Sequence, residues 1–190
     1  MTEIEQYIAS YFGVVDNNDL KTIISYFTLK VVKKGEFILK SNQQCDELCF
    51  VQSGILRMFV TLDDKEVTQC ISTKGHFSGD LSSFIYDTPS RLTIQALVET
   101  ELYILTKEDY EKIGKQVPKW NELEKLFLVR FFTILEDRTI RHLSMTAEER
   151  YNFFFKNNKE LFNQVPLQII ASMLGMRPET LSRIRRKQLL

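Results

Sequence analysis

Apolar residues fall into distinct textures along the chain. Up to about residue 29 they recur at helical spacing, with Ile4, Ile8, Tyr11 and Phe12 on one stripe and Leu20, Ile23, Ile24 and Phe27 on another, which predicts two short helices. From Val31 to Leu105 the pattern changes to short apolar runs (VVKKGEFIL, LCFVQ, ILRMFVTL, VTQCIS, LTIQAL and LYILT) broken by Gly, Asn, Asp, Lys or Pro. That texture predicts a small antiparallel β-domain with tight turns. Ser53-Gly54 marks one sharp reversal and Asp63-Asp64-Lys65 the tip of a hairpin. From about Lys119 to His142 the helical period returns: Trp120, Leu123, Phe127, Phe131, Ile134 and Leu135 recur at three- and four-residue steps. Leu126, Leu128 and Phe132 widen the apolar surface beyond what one core face uses. Such a helix either packs on its own β-domain and on a twofold mate at once, as a dimerisation helix, or is buried within one chain.

The remaining pattern is helical and carries the candidate chemistry. Thr146-Ala-Glu-Glu149 is a capping box that starts a helix running through Tyr151 and Phe153 to Phe155, and KNNKELFNQ reads as a linker. In VPLQIIASMLGMRPETLSRIRRKQLL, Pro166 suits the first turn of a helix, and Ile169, Ile170, Met173 and Leu174 follow at helical spacing. Gly175 supplies the left-handed conformation of a sharp turn, Met176 fills the angle, and Pro178 opens a second helix. Leu181 and Ile184 point back to the first helix, leaving a polar, basic face. This is the pattern of a helix-turn-helix. Glu179 and Arg183 lie one turn apart with Thr180 nearby, and Arg suits the acceptors of guanine while Glu suits the amine of cytosine. Gln168, Arg177, Arg185, Arg186 and Lys187 are candidate phosphate contacts.

Composition sharpens this picture. The formal net charge is zero, yet residues 1–137 carry 15 Lys/Arg against 21 Asp/Glu and residues 138–190 carry 10 against 4. A basic C-terminal third on an acidic chain fits a nucleic-acid-binding module joined to something with another task. No apolar run approaches the ~20 residues of a membrane span, and MTEIEQYIAS is too polar for a signal peptide, so a cytoplasmic protein is expected. Cys45, Cys49 and Cys70 form no CxxC pair and read as buried free thiols. His76 and His142 are the only histidines, too few and too far apart for the metal cluster of a cupin-like enzyme, and no Ser/His/Asp set or P-loop is present. No metal site is expected. A ligand-sensing β-domain whose output is a protein contact is the remaining alternative to a DNA reader.

The run IASMLGMRPETLSRIRRK resembles the helix-turn-helix of the family of bacterial regulators that includes the cyclic-AMP receptor protein and the fumarate/nitrate regulator. KKGEFIL, LCFVQSGILRMF and GHFSGDLSSF resemble that family's glycine-punctuated β-roll, and the long helix stands where the family dimerises. The resemblance covers nearly the whole chain. It implies an α+β fold: a cyclic-nucleotide-binding-like antiparallel β-roll over 1–117, a dimerisation helix over 118–143 and a helix-turn-helix domain over 144–190. It further implies a homodimer that binds a palindromic site on double-stranded DNA and works with RNA polymerase. Base reading falls on Glu179 and Arg183, with Ser182 in the fumarate/nitrate-type pattern. Arg177-Pro178 replaces the family's usual Ser-Arg or Ser-Pro opening of that helix, and the β-hairpin wing that usually follows is expected to be absent or truncated.

The family's nucleotide-binding members hold a cyclic phosphate with a Gly-Glu-Leu turn, helix amides and an Arg-Ser or Arg-Ala pair. Here FSGDLSSFIYDTPSRLTIQA stands in that place, putting Gly79, Asp80 and Leu81 in the turn and the Ser82 and Ser83 amides at an anion-binding helix start. Aligned on Leu92 to Ala96, Ser90 takes the position of the phosphate-clamping arginine, and Arg91, one step later on a strand, is expected to point to the other face. Cyclic AMP is therefore not the expected effector: the β-roll either serves as a dimer scaffold or senses a different small molecule. The oxygen-sensing branch uses N-terminal cysteines, of which the first 44 residues have none, so no iron-sulfur cluster is expected, and His76 and His142 read as hydrogen-bonded structural residues, so haem is not expected either.

Overall fold

A computed structural model describes residues 2–13 and 15–188. Two helices open the chain, α1 (Glu3–Phe12) and α2 (Asn17–Ser25). The strands follow as β1 (Thr28–Val32), β2 (Phe37–Leu39), β3 (Glu47–Ser53), β4 (Leu56–Leu62), β5 (Lys65–Ser72), β6 (Phe77–Ser78), β7 (Thr93–Ala96) and β8 (Thr100–Thr106), with α3 (Leu81–Tyr86) between β6 and β7. They form two antiparallel four-stranded sheets in the orders β1-β8-β3-β6 and β2-β7-β4-β5, which is the expected β-roll.

Turn chemistry fixes the roll. Asp63 and Asp64 both have positive φ, as the two central residues of a hairpin turn that matches strand twist must, and Leu62 pairs with Lys65 across them. Gly54 has φ +93°, and a Cβ there would lie 2.5 Å from Thr100 Oγ1, so the β3–β4 reversal tolerates only glycine. Thr100 is fully buried and its hydroxyl accepts the Ile55 amide at 3.1 Å, closing that corner.

After β8 come α4 (Lys107–Gln116), α5 (Trp120–Ser144), α6 (Ala147–Asn157), α7 (Leu161–Gln164), α8 (Leu167–Met173) and α9 (Pro178–Gln188). The Thr146–Glu149 capping box forms as expected, with the Thr146 amide donating to the Glu149 carboxylate at 2.7 Å. Four details correct the sequence-based expectations. α4 was not anticipated, and α7 occupies the segment read as a linker, anchored by buried Leu161 and Phe162. Pro166 is the cap residue of α8, one position before its first turn. Cys45 and Cys49 are buried, whereas Cys70 is only partly so.

The first core lies where α1 and α5 cover the β1-β8-β3-β6 sheet. Phe127 of α5 packs edge-on to Phe77 at 4.8 Å and stacks on Phe12 at 5.1 Å, and Trp120 and Leu123 are buried beside it. Beyond Phe127 the helix keeps one apolar face turned outward, with Val129, Phe132, Ile140 and Leu143 exposed. A second core joins Tyr151, Phe162, Ile170, Leu174, Leu181 and Ile184 of the C-terminal helices to Ile55 and Ile71 of the roll. The C-terminal helices are thus packed on the β-roll itself.

Candidate functional site

The helix-turn-helix is built as its sequence pattern demands. Ile170 and Leu181 are completely buried, so α8 and α9 are held face to face. Gly175 takes φ +65° between them, and Met176 packs partly buried against the same core. Arg150 of α6 fastens the turn, donating to the Leu174 carbonyl at 2.8 Å and to the Met145 carbonyl at 2.6 Å.

This packing leaves Glu179, Arg183 and Arg186 exposed at i, i+4 and i+7, a spacing that places all three on one face of α9. None of them, nor Lys187, forms an ion pair among the described residues. Thr180 and Ser182 flank that face half-buried. Arg185 differs from its neighbours: its guanidinium lies 5.7 Å from the Phe162 ring and hydrogen-bonds Tyr151, so it serves packing. Gln168, Arg177 and Pro178 line a cleft of about 810 Å³ whose opposite wall is the β4–β5 hairpin, with Asp64, Lys65 and Glu66. Ser172 of α8 bridges to that hairpin by accepting the Thr68 amide at 2.9 Å. Arg57, buried, holds Glu66 at 2.6 Å and Thr68 Oγ1 at 3.0 Å.

The second candidate site is a groove of about 1050 Å³ between the roll and α5. Gly79, Asp80, Leu81, Ser82, Ser90 and Arg91 all line it. Ser83 does not. Its side chain is buried and its hydroxyl accepts the Cys45 amide at 2.9 Å and donates to the Thr88 carbonyl at 2.6 Å, while its amide donates to Asp80 Oδ1 at 3.2 Å. The expected anion-binding amide is therefore already occupied by the helix cap. Asp80 Oδ2 also accepts the Ser90 hydroxyl at 2.7 Å, so turn and clamp position are tied to each other with no cation between them.

Arg91 corrects the expected alternation. It sits in the bend before β7, where strand geometry does not apply, and shares the groove with Ser90. Sequence reasoning missed the cations on the opposite wall. Arg130 and Arg138 of α5 line the groove with Ile134 between them at four-residue steps, and Arg138 Nη1 donates to the Gln69 carbonyl at 2.9 Å. That spacing was visible, but only the roll's position shows which side of α5 they serve. Tyr7 of α1 also lines the groove, and its buried hydroxyl has no hydrogen-bond partner among the described residues.

A β-roll with a groove closed by a long helix, followed by a helix-turn-helix, defines a cyclic-nucleotide-binding-type domain joined to a helix-turn-helix module. Residues 29–116 match the cyclic nucleotide-binding domain family. The chain resembles in fold the catabolite activator protein of Thermus thermophilus, at 24% identity and TM-score 0.59, over 93% of this chain and 85% of that one. FixK2 of Bradyrhizobium japonicum aligns at 20% identity and TM-score 0.70, over 85% and 83%. The c-di-GMP-responsive global regulator CLP of Xanthomonas campestris aligns at 15% identity and TM-score 0.70, over 92% of each chain. These likenesses are ones of fold. No curated relative matches the chain by sequence. Among the described residues no helix is long and apolar enough to cross a membrane.

Proposed function

We propose that this chain is a cytoplasmic, sequence-specific DNA-binding transcription regulator of the cyclic-AMP receptor protein and fumarate/nitrate regulator type. The observation that carries the proposal is the unpaired Glu179–Arg183–Arg186 face of α9, presented on a helix-turn-helix whose opposite face is fully used in packing. A helix inserted in the major groove reads bases through Glu179 and Arg183 of such a face, while Arg186, Lys187, Arg177 and Gln168 meet phosphates. The apolar outer face of α5, with Phe132, Ile140 and Leu143 exposed, supports a homodimer, and a twofold dimer binds a palindrome with half-sites about one helical turn apart. RNA polymerase is then the protein partner.

The groove is the sensing site in this proposal. Arg91, Arg130 and Arg138 suit an anionic small molecule, and the buried Tyr7 hydroxyl supplies a polar contact. Ser90, held by Asp80, leaves no arginine in the position that clamps a cyclic phosphate, so the effector is not cyclic AMP. Selection of binding sites from random duplex DNA by the full chain, with and without cyclic AMP, tests both parts. The expected result is an enriched palindrome that is the same in both conditions. Enrichment only with cyclic AMP overturns the effector assignment, and no enrichment in either condition gives weight to a β-roll module whose output is a protein contact.

A further inference from the structure

A second cavity, of about 190 Å³, shares only Phe77 and Leu81 with the effector groove. Its walls include Phe12, Phe50, Phe84, Leu105, Trp120 and Phe127, all buried. It opens to the surface between α3 and α5, where Ile85 and Leu128 are 46% and 45% exposed. One carboxylate interrupts the apolar lining. Glu124 accepts a hydrogen bond from the Tyr110 hydroxyl, and its second oxygen accepts none among the described residues. Tyr110 is itself fixed edge-on between Phe84 at 5.3 Å and Trp120 at 5.4 Å, so the carboxylate is held at the wall. Burial pushes the Glu124 carboxyl above its ordinary range.

Size and lining define what fits. An apolar cavity of ~150 Å³ lined by Leu, Ile and Phe stays dry and takes benzene. The space here, about 190 Å³, therefore suits one aromatic ring with a short alkyl tail, or a fused bicycle. Edge-to-face packing against the Phe and Trp walls favours an aromatic over an aliphatic occupant. A half-buried carboxylate oxygen that meets no protein donor among the described residues favours a molecule with one N–H or O–H, because a charge-assisted hydrogen bond forms there in place of one to water.

We propose that this cavity is a binding site for a small aromatic molecule bearing a single hydrogen-bond donor, of the size of indole or a short-chain alkylphenol, with that donor on Glu124. The site is independent of the DNA-reading proposal. Calorimetric titration of the full chain with 4-propylphenol and its des-hydroxy analogue propylbenzene tests it. The phenol should bind one-to-one with a Kd on the order of 10–100 µM, which ten heavy atoms in a good fit support. It should also quench or shift the fluorescence of Trp120, the chain's single tryptophan. Propylbenzene should bind at least tenfold more weakly. Glu124→Leu should remove that preference, and Ile85→Trp, which plugs the mouth from an exposed position, should abolish both. Arg91→Trp, on the rim of the other groove, should change neither. Absence of binding up to the solubility limit overturns the proposal, and so does phenol binding that survives Ile85→Trp but is lost in Arg91→Trp. Should Glu124→Leu fail to fold, equal affinity of phenol and propylbenzene for the unaltered chain overturns the role of Glu124.

Discussion

Arg183 and Lys187 stand one turn apart on α9, and the proposed function gives them different tasks on DNA. Arg183 lies on the face that also bears Glu179, where a guanidinium reaches base edges in two-point fashion. Arg183→Ala is expected to weaken specific binding by ~1–3 kcal/mol and to relax preference at one position of each half-site, read from competition assays across variant operators. Lys187→Ala should weaken all sequences alike and flatten the salt dependence of binding by about one phosphate contact. Unchanged sequence preference in the first variant would remove Arg183 from base reading. The α9 residues were legible because a single helix and a glycine turn decide which way they face. Ser83 and Arg91 were not, because their directions depend on how Asp80 caps α3 and on where β7 begins. Arg185 was read as a phosphate contact on its charge alone, and its place over Phe162 is set by α7, a helix hidden in a polar stretch.

Among the elements, α5 and α6 make contrasting predictions. α5 buries Trp120, Leu123 and Phe127 against the roll and leaves Phe132 and Leu143 outside at 64% and 83% exposure. A charge at position 132 therefore costs the single chain little, within about 0.5 kcal/mol, but would leave two unpaired charges in the twofold seam of the proposed homodimer. Phe132→Glu should raise the dimer dissociation constant at least a hundredfold in sedimentation equilibrium, while the melting temperature at concentrations low enough for both proteins to be monomeric stays unchanged. In α6 the Thr146 amide and hydroxyl hold the Glu149 carboxyl below its ordinary range. Its folded value lies below the unfolded one, so this stabilisation is complete above the ordinary carboxylate value of 4.5 and fades as pH falls through the folded value. Thr146→Ala should lower stability by ~0.5–2 kcal/mol at neutral pH, with a smaller difference in acid, measured by urea unfolding at several pH values. The long helix, the β-runs and the capping box were legible from spacing. α4 escaped because KEDYEKIGKQ offers one buried residue, Ile113, and so no apolar stripe.

At the scale of the whole molecule, the helix-turn-helix rests on the roll, and Ser172 is the polar pin between them. Its hydroxyl accepts the Thr68 amide, while Ile55 and Ile71 pack against the helices that carry α9. The cleft beside this pin sets Gln168 and Arg177 opposite Asp64, Lys65 and Glu66, with Glu66 paired to Arg57, so the hairpin occupies the side from which a phosphate would reach those residues. Asp64 on that wall holds φ +59°, a conformation asparagine tolerates, so Asp64→Asn removes one negative charge with little backbone cost. Ser172→Ala instead leaves the Thr68 amide without its acceptor, costing ~1–3 kcal/mol to the extent that water does not replace it. Hydrogen exchange at Thr68 should quicken, and the melting temperature should fall by a few degrees. The two variants together distinguish how the module meets DNA. If it must leave the hairpin, Ser172→Ala raises effector-free DNA affinity severalfold and Asp64→Asn has little effect. If it binds as it sits, Asp64→Asn strengthens binding at low salt, an advantage lost at high salt, while Ser172→Ala leaves affinity unchanged or lowers it.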